Sequence, residues 1–201
     1  MIKELTLPIQ YEGVKKDVFH SRAFKNKTDA QACYQQAKVR LLDINNWGEI
    51  SGVGSAEFQL TDDLGNNIVG KAHIGNYIKI DLPAPKLHKS KSCDWVLIEK
   101  IDEEANPGKD LEEIILTVRP TQQPFDDTNA TTHFFDSDTT SSYLIKRMGK
   151  TVTASEHGRN EIVNLKNNNV IDKVRNFFVA IGAMLGLSDV HWKKLLIGLL
   201  K

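Results

Sequence analysis

Between Ala56 and Asn164 the apolar residues recur with a period of two, and a stretch of that length with that period must be built mainly of strands. Ala56, Phe58 and Leu60 alternate with Glu57, Gln59 and Thr61. The run Asp62-Asp63-Leu64-Gly65-Asn66-Asn67 supplies turn chemistry before Ile68-Val69, which predicts a hairpin. Further strands are expected at Tyr77 to Leu82, Asp94 to Ile101, Glu113 to Arg119, Ser142 to Met148 and Thr151 to Glu161. The last two are joined through Gly149-Lys150. Strands that alternate in this way are apolar on one face only, and another layer must cover that face.

Helices supply the cover. Thr28 stands at capping-box spacing before Gln31, and Ala30, Cys33, Tyr34, Ala37, Leu41 and Ile44 follow at intervals of three and four. This predicts a helix over about Asp29 to Ile44, ending at Asn45-Asn46 before Trp47-Gly48. Asn169 caps a second helical face made of Val170, Ile171, Val174, Phe177, Phe178, Ile181, Met184 and Leu185, apolar nearly all round in its later half. Gly186 closes that helix, and Ser188-Asp189 opens a further one through Trp192, Leu195, Leu196 and Leu199. Ile9, Tyr11, Val14, Val18 and Phe19 suggest one or two early strands. The expected fold is therefore α+β: a curved antiparallel sheet of about six to seven strands packed on a long C-terminal helix. With 201 residues, no internal repeat and no low-complexity linker, residues 1–201 read as a single domain. The Val170 helix is the expected keystone, and Phe178→Ala at a buried site would cost about 3 to 5 kcal/mol.

Charge and cysteine content narrow the function classes. Lys plus Arg number 26 and Asp plus Glu number 26, so no general field draws the chain to phosphate backbones or anionic lipid. Lys86, Lys89 and Lys91 beside Pro83 and Pro85 read as a solvated loop, and no nucleic-acid partner is expected. Cys33 and Cys93 show no metal-binding or disulfide spacing, which fits reduced thiols and a cytoplasmic location. Met1 to Pro8 lacks the apolar run of a secretory signal. The longest apolar stretch, Phe177 to Leu187, is about 11 residues against the ~20 that span a bilayer, so no membrane span is expected.

Motif by motif, the chemistry thins out. Gly52-Val53-Gly54-Ser55-Ala56-Glu57 begins like a dinucleotide fingerprint, but Glu57 takes the third glycine position and a strand follows. Asp136-Ser137-Asp138-Thr139-Thr140 begins like a calcium loop, yet Ser141 and Arg147 replace the glycine and the bidentate carboxylate. The six histidines show no paired spacing, so neither a metal nor a cofactor is expected. His157-Gly158-Arg159-Asn160-Glu161 offers a base, a guanidinium, an amide and a carboxylate in five residues. Strand parity sets Val152 and Ala154 inward together with Glu156, and it leaves His157 and Arg159 as an exposed or rim ladder unless Gly158 hosts a bulge. An inward Glu156 needs a partner, an edge position open to water, or a raised pKa.

The element order of early strand, helix, antiparallel strands and long C-terminal helix resembles the helix-grip arrangement of the START and pollen-allergen superfamily. There a curved sheet wraps the last helix around an apolar cavity used for hydrophobic ligands. The strings Cys93-Asp94-Trp95-Val96, His157-Gly158-Arg159-Asn160-Glu161 and Gly182-Ala183-Met184-Leu185-Gly186-Leu187 are also similar to those of an uncharacterised bacterial family. Helix-grip architecture implies a non-catalytic binder of a hydrophobic small molecule or lipid. Trp47, Trp95, Glu156, Phe177 and Phe178 would be the candidate lining, with His157 and Arg159 at the rim. A second reading is a protein-interaction module or homo-oligomer docking through Trp192, Leu195, Leu196 and Leu199. A third is an enzyme working through Glu156 and the histidine-arginine string.

Overall fold

A computed structural model of the chain describes residues 5–81, 93–124, 138–162 and 192–201. Seven strands form one antiparallel sheet: β1 (Val14–Ala23), β2 (Glu57–Thr61), β3 (Tyr77–Asp81), β4 (Asp94–Asn106), β5 (Leu111–Thr121), β6 (Thr140–Met148) and β7 (Thr151–Glu161). Their spatial order is β1-β7-β6-β5-β4-β3-β2, so the first strand crosses to lie beside the last. Between β1 and β2 stand α1 (Lys27–Leu42), a 3-10 turn at Ile44–Asn46 and the short α2 (Trp47–Ser51). Residues 192–199, here α3, are helical. None of the described helices is long and apolar enough to cross a membrane.

α1 forms where its apolar spacing predicts. Ala30, Cys33, Tyr34, Ala37 and Leu41 are its buried face. The cap is Asn26 rather than Thr28, its side chain accepting from the Asp29 amide at 2.8 Å, and the helix stops at Leu42 before the 3-10 turn takes Ile44 into the core. The expected hairpin through Ile68-Val69 forms only in part, as an antiparallel bridge between Thr61 and Asn67 with the Ile68 amide donating to the Leu60 carbonyl at 2.8 Å. Asp62 Oδ1 accepts from the amides of Leu64 (2.9 Å) and Asn66 (2.7 Å), which curls the chain into the turn, and the extended ladder of β2 is with β3. Val69 is left 97% exposed.

One face of the sheet carries Ile78, Ile98, Leu116, Tyr143, Ile145, Val152 and Ala154, which pack with α1, Trp47 and the leucines of α3 into one core. Leu195, Leu196, Leu199 and Leu200 are all buried there and Trp192 is half-buried, so most of the surface expected for a partner packs inside the chain. Arg22 and Arg40 donate to the carbonyls of Leu200 and Leu199, where the negative end of the α3 dipole favours cations. Gly198 has no side chain because a Cβ there would collide with the Ile50 carbonyl. On the opposite face, Lys100 donates to the Thr6 carbonyl and Asn160 accepts from the amides of Tyr11 and Glu12. These bonds hold the segment before β1 against the sheet. The Val170 helix, with Phe177 and Phe178, lies outside the described residues.

Candidate functional site

β7 positions the two groups of residues singled out from the sequence, one on each face. It lies between β1 and β6, paired along its length with both. Val152, Ala154 and Glu156 face the core, as alternation predicts, and Glu156 stands directly across from Tyr143 on β6 and Val18 on β1. Its residue exposure is 1%, and its Oε2 has no hydrogen-bond partner among the described residues. Glu156 is therefore not at an edge where its carboxyl reaches water. Burial pushes the carboxyl from the ordinary 4.5 up to about 8, and the negative charge of Glu161 adds to the shift against the opposing pull of Lys16 and Arg159. At neutral pH the group is mostly a neutral acid, able to donate one hydrogen bond and accept others.

Aromatic rings extend from the residue facing Glu156. Tyr143 packs edge to face on Trp47 with ring centroids 4.8 Å apart, and on Trp192 with centroids 5.5 Å apart. Trp47 is a core residue: it is 1% exposed, and its indole donates to the Arg40 and Leu41 carbonyls at 3.2 Å each. Trp95 does not join it. The pairing of Ile98 with Val118 and of Val96 with Pro120 sets Val96 on the core side, which turns Trp95 to the other face of β4. The two tryptophans therefore do not line one cavity. Asp94, sharing the parity of Val96, is an inward carboxyl not singled out from the sequence, and burial raises it to about 6. The same alternation that marks Glu156 could have found it.

The second group is denser. His157 Nδ1 lies 2.6 Å from Asp17 Oδ1, its Nε2 lies 2.9 Å from Ser155 Oγ, and Arg159 donates to the same Asp17 oxygen at 2.7 Å. Arg159 also donates to the Lys16 and Gly158 carbonyls. Its residue exposure is only 5%, whereas His157 is half-buried and Asp17 is exposed, so the group lies at the rim with Arg159 buried in it. Arg159 keeps the outward parity it shares with His157, opposite Thr140 on β6; beside it β7 bulges, since β1 advances from Val14 to Lys16 while β7 spans Glu161 to Gly158, and Asn160 takes a φ of 54°. Hydrogen bonds from His157 and Arg159 hold the Asp17 carboxyl below its ordinary value despite partial burial.

Ser155, His157 and Asp17 thus follow the bonding order of a hydrolytic triad. A hydrolase also needs donors aimed at a developing oxyanion, and the backbone of β7 is committed to ladders on both sides while Ser155 is 6% exposed. The arrangement fastens β1 to β7. Nowhere among the described residues do three or more His, Cys, Asp or Glu side chains form a group that could hold a metal ion.

No protein-family model and no curated protein matches the chain. Among solved structures it is similar to a Thermus thermophilus protein determined by crystallography, with 12% identity, a TM-score of 0.41, and 92% of this chain and 94% of that one covered. A Staphylococcus epidermidis protein solved by NMR in solution is similar at 10% identity and a TM-score of 0.37, with 92% of each chain covered.

Proposed function

We propose that the protein binds a predominantly apolar small molecule or lipid on the helix-covered face of its sheet, with Glu156 as the polar anchor. The observation that carries this reading is the buried carboxyl with an unpartnered oxygen beside Tyr143. A side chain kept only for packing would be apolar at this position, because a buried polar atom without a hydrogen bond costs about 1 to 3 kcal/mol. A ligand that supplies the missing bond recovers that cost when it binds. The aromatic series Trp47, Tyr143 and Trp192 gives the same region an apolar wall. The element order adds support, since β1 is followed by helices and then by the remaining strands, as in the helix-grip resemblance.

Native mass spectrometry of the purified protein after exposure to a lipid extract tests the reading. Retained species that are lost on Glu156→Leu are the expected result. A chain that retains nothing, in a form shown to be folded, refutes it. Docking on a protein partner through α3 is the weaker reading, because its leucines are already buried.

A further inference from the structure

The surroundings of Glu156 narrow the polar group of the ligand, an inference that rests on the binding function proposed above. We propose that the ligand carries a cationic nitrogen, an amine or a quaternary ammonium, held between the Glu156 carboxylate and the rings of Tyr143 and Trp192.

Three features of the geometry converge on a cation. First, the carboxyl is 1% exposed and keeps an unpartnered oxygen among the described residues, so it can take a contact that the chain itself does not supply. Second, it faces Tyr143 directly across the β6–β7 ladder, and the Tyr143 ring packs edge to face against Trp192 at 5.5 Å. Aromatic faces carry negative potential and attract cations most strongly where water is excluded. Third, a Cβ on Gly158 would collide with the Glu161 carboxylate, which lies over that glycine, two residues along β7 from Glu156. A second negative charge is therefore close by.

The cations acting on Glu156 are Lys16 and Arg159, and the anions are Glu161 and Asp17. Their effects oppose one another. A hydroxyl or carbonyl ligand would satisfy the hydrogen bond of Glu156 but gain nothing from its charge or from the rings of Tyr143 and Trp192. An amine gains from the charge, the rings and the hydrogen bond, and a quaternary ammonium from the charge and the rings. Either would also convert Glu156 from the acid to the carboxylate, so uptake of the cation releases a proton.

The test compares three probes of one chain length below their micelle concentrations: dodecyltrimethylammonium, dodecylamine and dodecanol. Binding to the full chain is followed by calorimetry near neutral pH in buffers of different ionisation enthalpy. Both cations should bind at least about tenfold more tightly than dodecanol, with release of a proton that the alcohol does not cause. In Glu156→Gln the preference should fall to within about threefold. Trp192→Leu, which leaves the carboxyl in place, should weaken dodecyltrimethylammonium more than dodecanol. Equal binding of alcohol and amine, or a preference that survives Glu156→Gln in a folded variant, overturns the cation assignment and leaves the apolar binding function standing. If none of the probes binds, the cation assignment falls. If the lipid extract also leaves nothing retained, the binding function falls with it.

Discussion

Replacing Glu156 by glutamine keeps the size and polarity of the side chain and removes only its ability to ionise. In the folded chain the carboxyl titrates at about 8 instead of 4.5, and burial is the leading cause. The folded state keeps the proton up to that pH while the unfolded chain releases it near its ordinary value, so stability falls as pH rises between the two. Each pH unit in that window costs about 1.4 kcal/mol, and the whole window about 5 kcal/mol. That is as large as the total stability of a marginal domain, ~5 to 15 kcal/mol. The glutamine variant lacks this slope. Urea denaturation of both proteins at pH 5, 6, 7 and 8 should therefore show the variant gaining on the parent by up to about 1.4 kcal/mol per unit. The raised carboxyl of Asp94 is common to both proteins and cancels in the difference. Even half the expected slope exceeds the ~0.5 kcal/mol that separates surface substitutions. A parent and variant whose stabilities differ by the same amount, within that margin, at all four pH values would show that Glu156 is solvated and ionised, and the argument built on its burial would fail.

Two further outcomes follow from the packing. Asp17→Asn takes the carboxylate from both His157 and the buried Arg159. It should cost about 1 to 3 kcal/mol, less than a fully buried pair because the Asp17 side chain is 39% exposed. Because the Asp17 carboxyl is held below its ordinary value, its contribution is present above about pH 4 and is lost as pH falls through the lower folded value, so parent and variant should converge in acid denaturation. Leu196→Ala empties a site of 0% exposure and should cost about 2 to 5 kcal/mol in chemical denaturation. Sedimentation should show no change in oligomeric state for that variant, whereas a change of assembly without loss of stability would restore α3 as a docking helix.

The parts of the fold that can be read from the sequence are those set by local periodicity. Six of the strands, β2 to β7, the apolar face of α1 and the inward position of Glu156 all follow from spacing, because the neighbours that decide them lie two, three or four residues away. Alternation predicts that the strand at Asp94 ends at Ile101, yet it runs to Asn106, since Asp102, Glu103 and Glu104 erase the pattern while the ladder to β5 continues. The role of Arg159 is hidden for a different reason. Its partner Asp17 lies 142 residues away in the chain, so the bond that holds it depends on how β1 meets β7. Nothing within β7 reports that pairing. Trp47 and Trp95 are equivalent in the sequence as large aromatics, and only the sheet register separates them to different faces.

The two groups on β7 also act on each other through the sheet. Asp17 and Arg159, bonded to one another, influence Glu156 with opposite signs. Lys16 and Glu161 form a second opposing pair of influences. With the Coulombic contributions set against each other, desolvation decides the protonation state, and a buried carboxyl in that position keeps its proton. The ion pair therefore does more than fasten the edge strand. Without Asp17 the guanidinium of Arg159 would stand uncompensated behind Glu156 and draw it toward the carboxylate. By opposing the charge of Arg159, Asp17 favours the protonated acid on the inward face of β7, which links the tightness of the β1–β7 seam to the chemistry available on the other side of the sheet.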